Sequence, residues 1–201
     1  MLNKVKLTNE EIREFAEVFA YYDYGEEEIG MVPYYPGYPD RTKLINYLSA
    51  MISVASEYDA VYATSDQKEG IIILTDTTHP YPVTATFKMM WRMIKALGFK
   101  EFSAIVKKFQ AGGASLEKTY RTSKKQFVQI ELLAVKKEYQ GKGHMRPLVE
   151  TAFEVAKKEN LPVIVSTDAK LKKDKYAHIG MKHINTRTLG EKSFMYDLVR
   201  M

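Results

Sequence analysis

The stretch Gln126–Lys158, QFVQIELLAVKKEYQGKGHMRPLVETAFEVAKK, reads as a strand, a loop with two glycines and a helix. From Gln126 to Val135 the side chains alternate with the two-residue period of a strand. Val128, Ile130, Leu132 and Ala134 fall on one face, and Phe127, Gln129, Glu131, Leu133 and Val135 on the other. From Leu148 onward the apolar positions Leu148, Val149, Ala152, Val155 and Ala156 recur at helical spacing. This predicts a helix that packs one face on a sheet and leaves Lys157, Lys158 and Glu159 in water. Between the two lies the turn Gln140-Gly141-Lys142-Gly143-His144-Met145. Glycine lets a backbone approach a ligand closely and take positive φ, and the start of a helix leaves unpaired N–H donors with a partial positive charge. A pyrophosphate suits that combination. Pro147 limits where the helix begins, because its missing N–H is harmless only in the first turn, so the N-cap is expected at His144 or beyond. Two nearby glycines taken alone favour an ordinary strand-to-helix turn.

What surrounds the loop favours the phosphate reading. A hydrophobic run LLAV precedes it, a second strand LPVIVST starts at Leu161, and Tyr176-Ala-His-Ile-Gly180-Met181 follows. On these residues the chain resembles the GNAT superfamily of acetyl-CoA-dependent N-acyltransferases. The pyrophosphate loop of that family has the pattern Gln/Arg-x-x-Gly-x-Gly/Ala, which Gln140 and Gly143 match, with Met145 in place of the small residue. Tyr176 to Met181 looks like the family's Tyr-x-x-x-Gly-Phe segment with methionine for phenylalanine, and Ala169 stands where an asparagine is often found seven residues before the tyrosine. The specific motifs cover roughly Phe127 to Val199; the first half resembles the family only through its order of elements. The resemblance implies a mixed α/β (α+β) fold in which helices flank a central mixed sheet. The long helical stretch before the motif strand is similar to the branch that includes puromycin acetyltransferase.

Composition bounds the rest. A chain of 201 residues can form one α/β domain with a sizeable core, or at most two small ones. No internal repeat, low-complexity tract or Pro/Gly-rich linker divides it, so a single domain over residues 1–201 is expected. With 45% hydrophobic and 27% charged residues it has the balance of an ordinary globular protein, and no apolar run approaches the ~20 residues that span a bilayer. The start MLNKVKLTNEE has no signal-like apolar core, and the chain has no cysteine, which excludes disulfides, thiolate ligands and thiol nucleophiles. A cytoplasmic location with no membrane partner is the default expectation. The net charge of +5 comes as scattered lysine pairs, Lys107-Lys108, Lys124-Lys125, Lys136-Lys137 and Lys172-Lys173, without a nucleic-acid-binding motif, so nucleic acid is not the expected partner. An anionic cofactor accounts for part of that charge, with Lys142, Arg146 and Lys170 as its candidate cations.

The remaining elements follow from local signals. Thr8 and Glu11 form a capping-box start, with Ile12, Phe15 and Phe19 at helical spacing; Asp40 opens a second helix with the stripe Leu44, Ile45, Leu48, Met51, Ile52 and Ala55. Ala60 to Ala63 and Ile71 to Thr75 are expected as strands, Thr84 to about Gln110 as helix broken near Gly98, and Lys182 to Leu189 with Ser193 to Val199 as a closing hairpin. Tyr21 to Asp40, rich in tyrosine, proline and acid, cannot be one regular element.

Acetyl transfer to an amine needs a held cofactor, donors for the developing oxyanion, a base for the ammonium and a proton for the leaving thiolate. The resemblance implies that Gln140, Gly141, Lys142, Gly143, His144, Met145 and Arg146 bind the acetyl-CoA phosphates. It likewise implies that the backbone of Leu133, Ala134 and Val135 pairs with the pantetheine arm and points an N–H at the thioester carbonyl. Tyr176 then matches the family's general acid, although a lone tyrosine on a short helix is also a common core residue. Glu131 is the candidate base, equally readable as a half-exposed strand carboxylate, whereas Gln129 cannot act as a base. Tyr22, Tyr24, Tyr34 and Tyr35, close in sequence to Glu26, Glu27 and Glu28, are candidates for binding a cationic amine, or else pack on the sheet. Met89, Met90 and Met93 read as core packing. His79, His144, His178 and His183 show no metal spacing, so no metal is expected. The expected activity is N-acetyl transfer from acetyl-CoA to a primary amine, taken to be a small molecule, by direct attack in a ternary complex, with a homodimer left open. The alternatives are a non-catalytic acyl-CoA sensor and a basic nucleic-acid interaction protein.

Overall fold

The computed structural model describes residues 2–21, 40–191 and 193–201. Strand β1 (Asn3–Lys4) leads into α1 (Asn9–Ala20) through the capping box read in the sequence: the Thr8 hydroxyl accepts from the Glu11 N–H at 3.2 Å, and the Glu11 carboxylate accepts from the Thr8 N–H at 2.8 Å. Asp40 caps α2 (Arg41–Glu57), accepting from the Lys43 N–H at 3.1 Å. Strands β2 (Val61–Ala63) and β3 (Gly70–Asp76) form a hairpin. Two helices then follow, α3 (Val83–Leu97) and α4 (Phe99–Ala111), broken at Gly98. A short helix α5 (Leu116–Thr122), absent from the sequence reading as β1 is, precedes β4 (Val128–Val135). The chain closes with α6 (Met145–Lys157), β5 (Val163–Thr167), α7 (Lys170–His178), β6 (Lys182–Gly190) and β7 (Ser193–Arg200).

Seven strands form one mixed sheet in the order β1-β2-β3-β4-β5-β7-β6, in which β4 and β5 run parallel and every other neighbouring pair is antiparallel. One face packs on α1 and α2 through Phe15, Leu48, Ile52, Ile71, Ile73 and Leu132. The other packs on α6 and α7 through Ile72, Ile130, Leu148, Ala152 and Leu198. A smaller cluster, Leu116, Phe127, Ile164 and Val199, tucks α5 under the sheet. Among the described residues no helix is long and apolar enough to cross a membrane.

Strand β4 departs from strict alternation. Ile73 pairs with Leu132, but Leu74 pairs with Ile130, so Glu131 is an extra, unpaired residue on β4. Val128 and Ile130 therefore face α6 and α7, while Leu132 and Ala134 face α1 and α2. The expectation that these four share a face is corrected: one inserted residue shifts the phase of everything after it. The parallel register with β5 also ends at Ile130, opposite Val165. Beyond the bulge, the β5-facing side of β4 has no strand partner, and a cleft opens there.

Candidate active site

A cavity of about 530 Å³ occupies that cleft. Leu133, Ala134 and Val135 of β4 form one wall, and Val18 and Phe19 at the end of α1 close another side. The next wall is the loop read in the sequence. A single 3₁₀ turn, Lys137–Tyr139, carries the chain into Gln140, whose side-chain amide donates to the Val135 carbonyl at 3.0 Å and ties the loop back to the strand. Gly141 and Gly143 take φ of +76° and +86°, and a Cβ added to either would meet no atom within 4 Å. Both glycines thus take a backbone conformation that costs other residues strain, and both turn toward open space. His144 is the N-cap of α6 as expected, and its side chain makes no capping bond. In the first turn of α6 the Arg146 N–H donates to the Gly143 carbonyl at 3.3 Å, and no side chain caps the helix start beside the cavity wall. Pro147 sits as the third helical residue, where its missing N–H costs nothing.

The side chains around this loop are ordered by one another. The His144 ring meets the Tyr139 ring edge-on at 5.6 Å, and the Lys142 ammonium lies over the same ring at 5.6 Å. Met145 lines the cavity and packs against the core cluster of α6 and α7, so its bulk is taken up by the interior. Of the three expected cations only Arg146 lines the cavity, paired with Glu150 at 3.6 Å. Lys170 instead pairs with Asp174 at 2.6 Å. Lys172 and Lys175 of α7 line the cavity, and sequence reasoning missed them. The signal was available: Lys172 precedes Tyr176 by four residues, the spacing that puts two side chains on one helical face. The Lys172 ammonium is held by Asp168 at 2.9 Å and lies over the Phe19 ring at 4.7 Å.

Tyr176 lines the same cavity, with a ring buried among the core residues of α6, α7 and β7. Burial, and secondarily the charge of Asp168, push its hydroxyl pKa well above the ordinary tyrosine value, so it is protonated at neutral pH. Ala169 is the uncapped N-cap of α7 and is fully buried.

Glu131 does not line this cavity. The bulge turns it to the side of Gln129, away from Leu133, which corrects the expectation that all three share a face. Its carboxylate accepts from the Thr75 hydroxyl at 2.7 Å and from the Gln129 amide at 3.1 Å. The residue keeps a solvent-accessible face, yet enough protein surrounds the carboxylate that desolvation pushes its pKa up to about 7. The Thr75 hydrogen bond opposes that rise, and Glu117 and Arg121 of α5 act on the group with opposite signs. The tyrosines expected at the acceptor, Tyr22, Tyr24, Tyr34 and Tyr35, lie outside the described residues.

The position and geometry of the loop agree with an independent match: residues 73–178, just over half of the chain, fit the family model of the GNAT acetyltransferases. The chain belongs to that family. Solved structures agree in fold across nearly the whole chain. An N-acetyltransferase from Staphylococcus aureus Mu50 has a TM-score of 0.57 at 13% identity, covering 100% of both chains. The protein assigned as arylalkylamine N-acetyltransferase 7 of the yellow fever mosquito reaches 0.61 at 13% identity, covering 94% of this chain and 81% of that one. The polyamine N-acetyltransferase of Drosophila melanogaster, which forms N-acetylagmatine, reaches 0.54 at 11% identity, covering 98% and 97%. No curated protein sequence matches the chain. At such identities the likeness speaks for the fold, and family membership leaves the acceptor open.

Outside the cavity, Asp76, His79 and Glu159 offer ligand atoms that all lie within 4.8 Å of one another, a proximity no sequence spacing announces. His79 is 74% exposed, and its Nδ1 bonds to Asp76 at 3.2 Å, so the cluster is accounted for as a surface hydrogen-bonded group.

Proposed function

We propose that the protein transfers an acetyl group from acetyl-CoA to a primary amine, by direct attack within a ternary complex. The observation that carries this reading is the pairing of two positive-φ glycines with an uncapped helix start on the wall of a cavity that Tyr176 also lines. Open space above Gly141 and Gly143 leaves room for a pyrophosphate against backbone N–H groups, and Arg146, Lys172 and Lys175 supply positive charge nearby. The strand 133–135 has no β5 partner, and apart from the Val135 carbonyl, which accepts from Gln140, its groups on that side can hydrogen-bond the amides of the pantetheine arm and offer an N–H to the thioester oxygen.

In this reading Glu131 takes a proton from the acceptor ammonium, directly or through water, and the freed nitrogen attacks the thioester carbonyl carbon. The tetrahedral adduct collapses by breaking the C–S bond as Tyr176 gives its proton to the leaving sulfur. A carboxylate whose pKa stands at about 7 is matched to accepting a proton near neutrality, and a tyrosine held above its usual pKa still has one to give. The helical stretch α3, α4 and α5 between β3 and β4 supports a place near the branch that includes puromycin acetyltransferase. The amine-acetylating neighbours support an amine acceptor.

Calorimetric titration with acetyl-CoA, followed by a screen of amines read as free thiol, tests the reading. Micromolar binding and amine-dependent thiol release are expected. Retention of acetyl-CoA with no transfer to any amine would turn the protein into an acyl-CoA-binding module. Salt-dependent RNA or DNA binding without coenzyme affinity would make it an interaction protein.

A further inference from the structure

The helical insert between β3 and β4 holds most of the bulky apolar surface that the fold leaves in water. Among the described residues ten large hydrophobic side chains are exposed, and six of them, Val83, Phe87, Met90, Trp91, Phe99 and Val106, belong to α3 and α4. Val83, Phe87 and Trp91 recur every four residues with Met90 beside them, so they form one stripe along α3. Phe87 and Trp91 are 62% and 68% exposed, and Phe99, just past the break at Gly98, is 73% exposed. Met90, expected in the core, is thus in the stripe, whereas Met89 and Met93 are half-buried. The opposite side of α3 holds it to α2: Ala85 is buried, and Arg92 donates to the Ser53 hydroxyl at 2.6 Å and to the Glu57 carboxylate at 2.9 Å. A contiguous apolar face of this kind marks an interaction surface.

Charge is concentrated in the same segment. From residue 83 to residue 111 there are six lysines and arginines against one acid, Glu101, which equals the +5 net charge of the whole chain, so the remainder balances to zero. No acidic residue occurs between Val83 and Lys100. Lys88 and Arg92 pair with Glu57, while Lys95, Lys100 and Lys107 are exposed around the aromatic residues.

We infer that this face docks on an anionic lipid bilayer, with Phe87 and Trp91 seated among the headgroups and the lysines against the lipid phosphates. Aromatic residues on one side and lysines and arginines beside them are what an interfacial helix needs. It requires no bilayer-spanning run, so the lack of one in the sequence does not bear on it. A second copy of the chain fits the same face poorly, because it would bring an identical set of cations to the contact. None of these residues lines the coenzyme cavity, so lipid docking and acetyl transfer stand or fall separately.

Trp91 is the only tryptophan of the chain, so its fluorescence reports the contact directly. The full chain is mixed with vesicles of phosphatidylcholine containing about 30% phosphatidylserine, and with vesicles of phosphatidylcholine alone. A blue shift of the Trp91 emission and co-sedimentation with the anionic vesicles are expected, with partitioning weaker by about 10-fold or more on phosphatidylcholine alone and weakened by added salt. Phe87→Ser keeps the probe and should lower partitioning by about 10-fold or more, the loss for one large apolar side chain left in water, with the melting temperature unchanged. Lys95→Glu combined with Lys100→Glu should remove the preference for anionic vesicles. No blue shift with anionic vesicles, or partitioning that Phe87→Ser leaves unchanged, overturns the inference. A dimer in sedimentation that Trp91→Ser converts to monomer would give the stripe to a second copy and overturn it too. Binding to polyglutamate as tight as to the vesicles would give the face to an acidic protein partner instead.

Discussion

Replacing Gly143 by aspartate separates what the loop does for the fold from what it does for the coenzyme. The backbone at 143 has φ of +86°, and a new Cβ would meet nothing within 4 Å, so the folded protein carries only the cost of the left-handed conformation. That cost is about 1–2 kcal/mol for most L-residues and less for aspartate and asparagine. A carboxylate near the N-terminus of α6 recovers about 0.3–1 kcal/mol from the helix dipole, so Gly143→Asp should fold with stability within about 1 kcal/mol of the wild type. Coenzyme binding is another matter. Two like charges about 4 Å apart repel by about 1 kcal/mol in bulk water and about 4 kcal/mol at the effective dielectric of a protein surface. At about 1.4 kcal/mol per tenfold, affinity for acetyl-CoA should fall by a factor between about 5 and about 1000. Gly143→Asn keeps the shape and omits the charge, and the gap between the two variants isolates the electrostatic part, which should shrink as salt is added. Calorimetry at low and high salt, with melting curves on the same samples, gives both numbers. Wild-type acetyl-CoA affinity in Gly143→Asp, with the fold intact, would refute the assignment of this loop to the phosphates.

Four further outcomes are expected. Tyr176→Phe keeps the buried ring but removes the proton offered to the leaving sulfur, so turnover should drop by about 10² to 10⁴ with acetyl-CoA affinity nearly unchanged; near wild-type turnover with a lowered melting point would make it a packing residue. The kcat/KM for the amine should climb as pH rises through about 7, where Glu131 ionises, and Glu131→Gln should abolish that limb. Because the folded pKa of Glu131 is raised from 4.5, the stability this group contributes is fully present below about 4.5 and lost by about 7, so Glu131→Gln should gain melting temperature relative to the wild type across that window. Gln140→Ala breaks the tie to the Val135 carbonyl at 3.0 Å, and its effect on acetyl-CoA affinity, measured by calorimetry, should be smaller than that of Gly143→Asp, because the loop is taken to recognise phosphate with its backbone.

Local signals in the sequence determined the strand, the glycine loop and the helix that follows it, the capping box at Thr8 and the cap at Asp40. Each of these depends on residues within a few positions of one another, so propensity, periodicity and cap chemistry suffice to read them. The place of Glu131 was decided only by the tertiary structure. A bulge is a mismatch between two strands, and a period-two pattern read along β4 alone has no means of registering the partner residue that Glu131 lacks on β3. The same holds for Lys175, which lines the cavity because α7 packs beside the β4 cleft. Proximity between residues more than 50 apart in sequence, such as Thr75 and Glu131, is set by how the strands of the sheet pair.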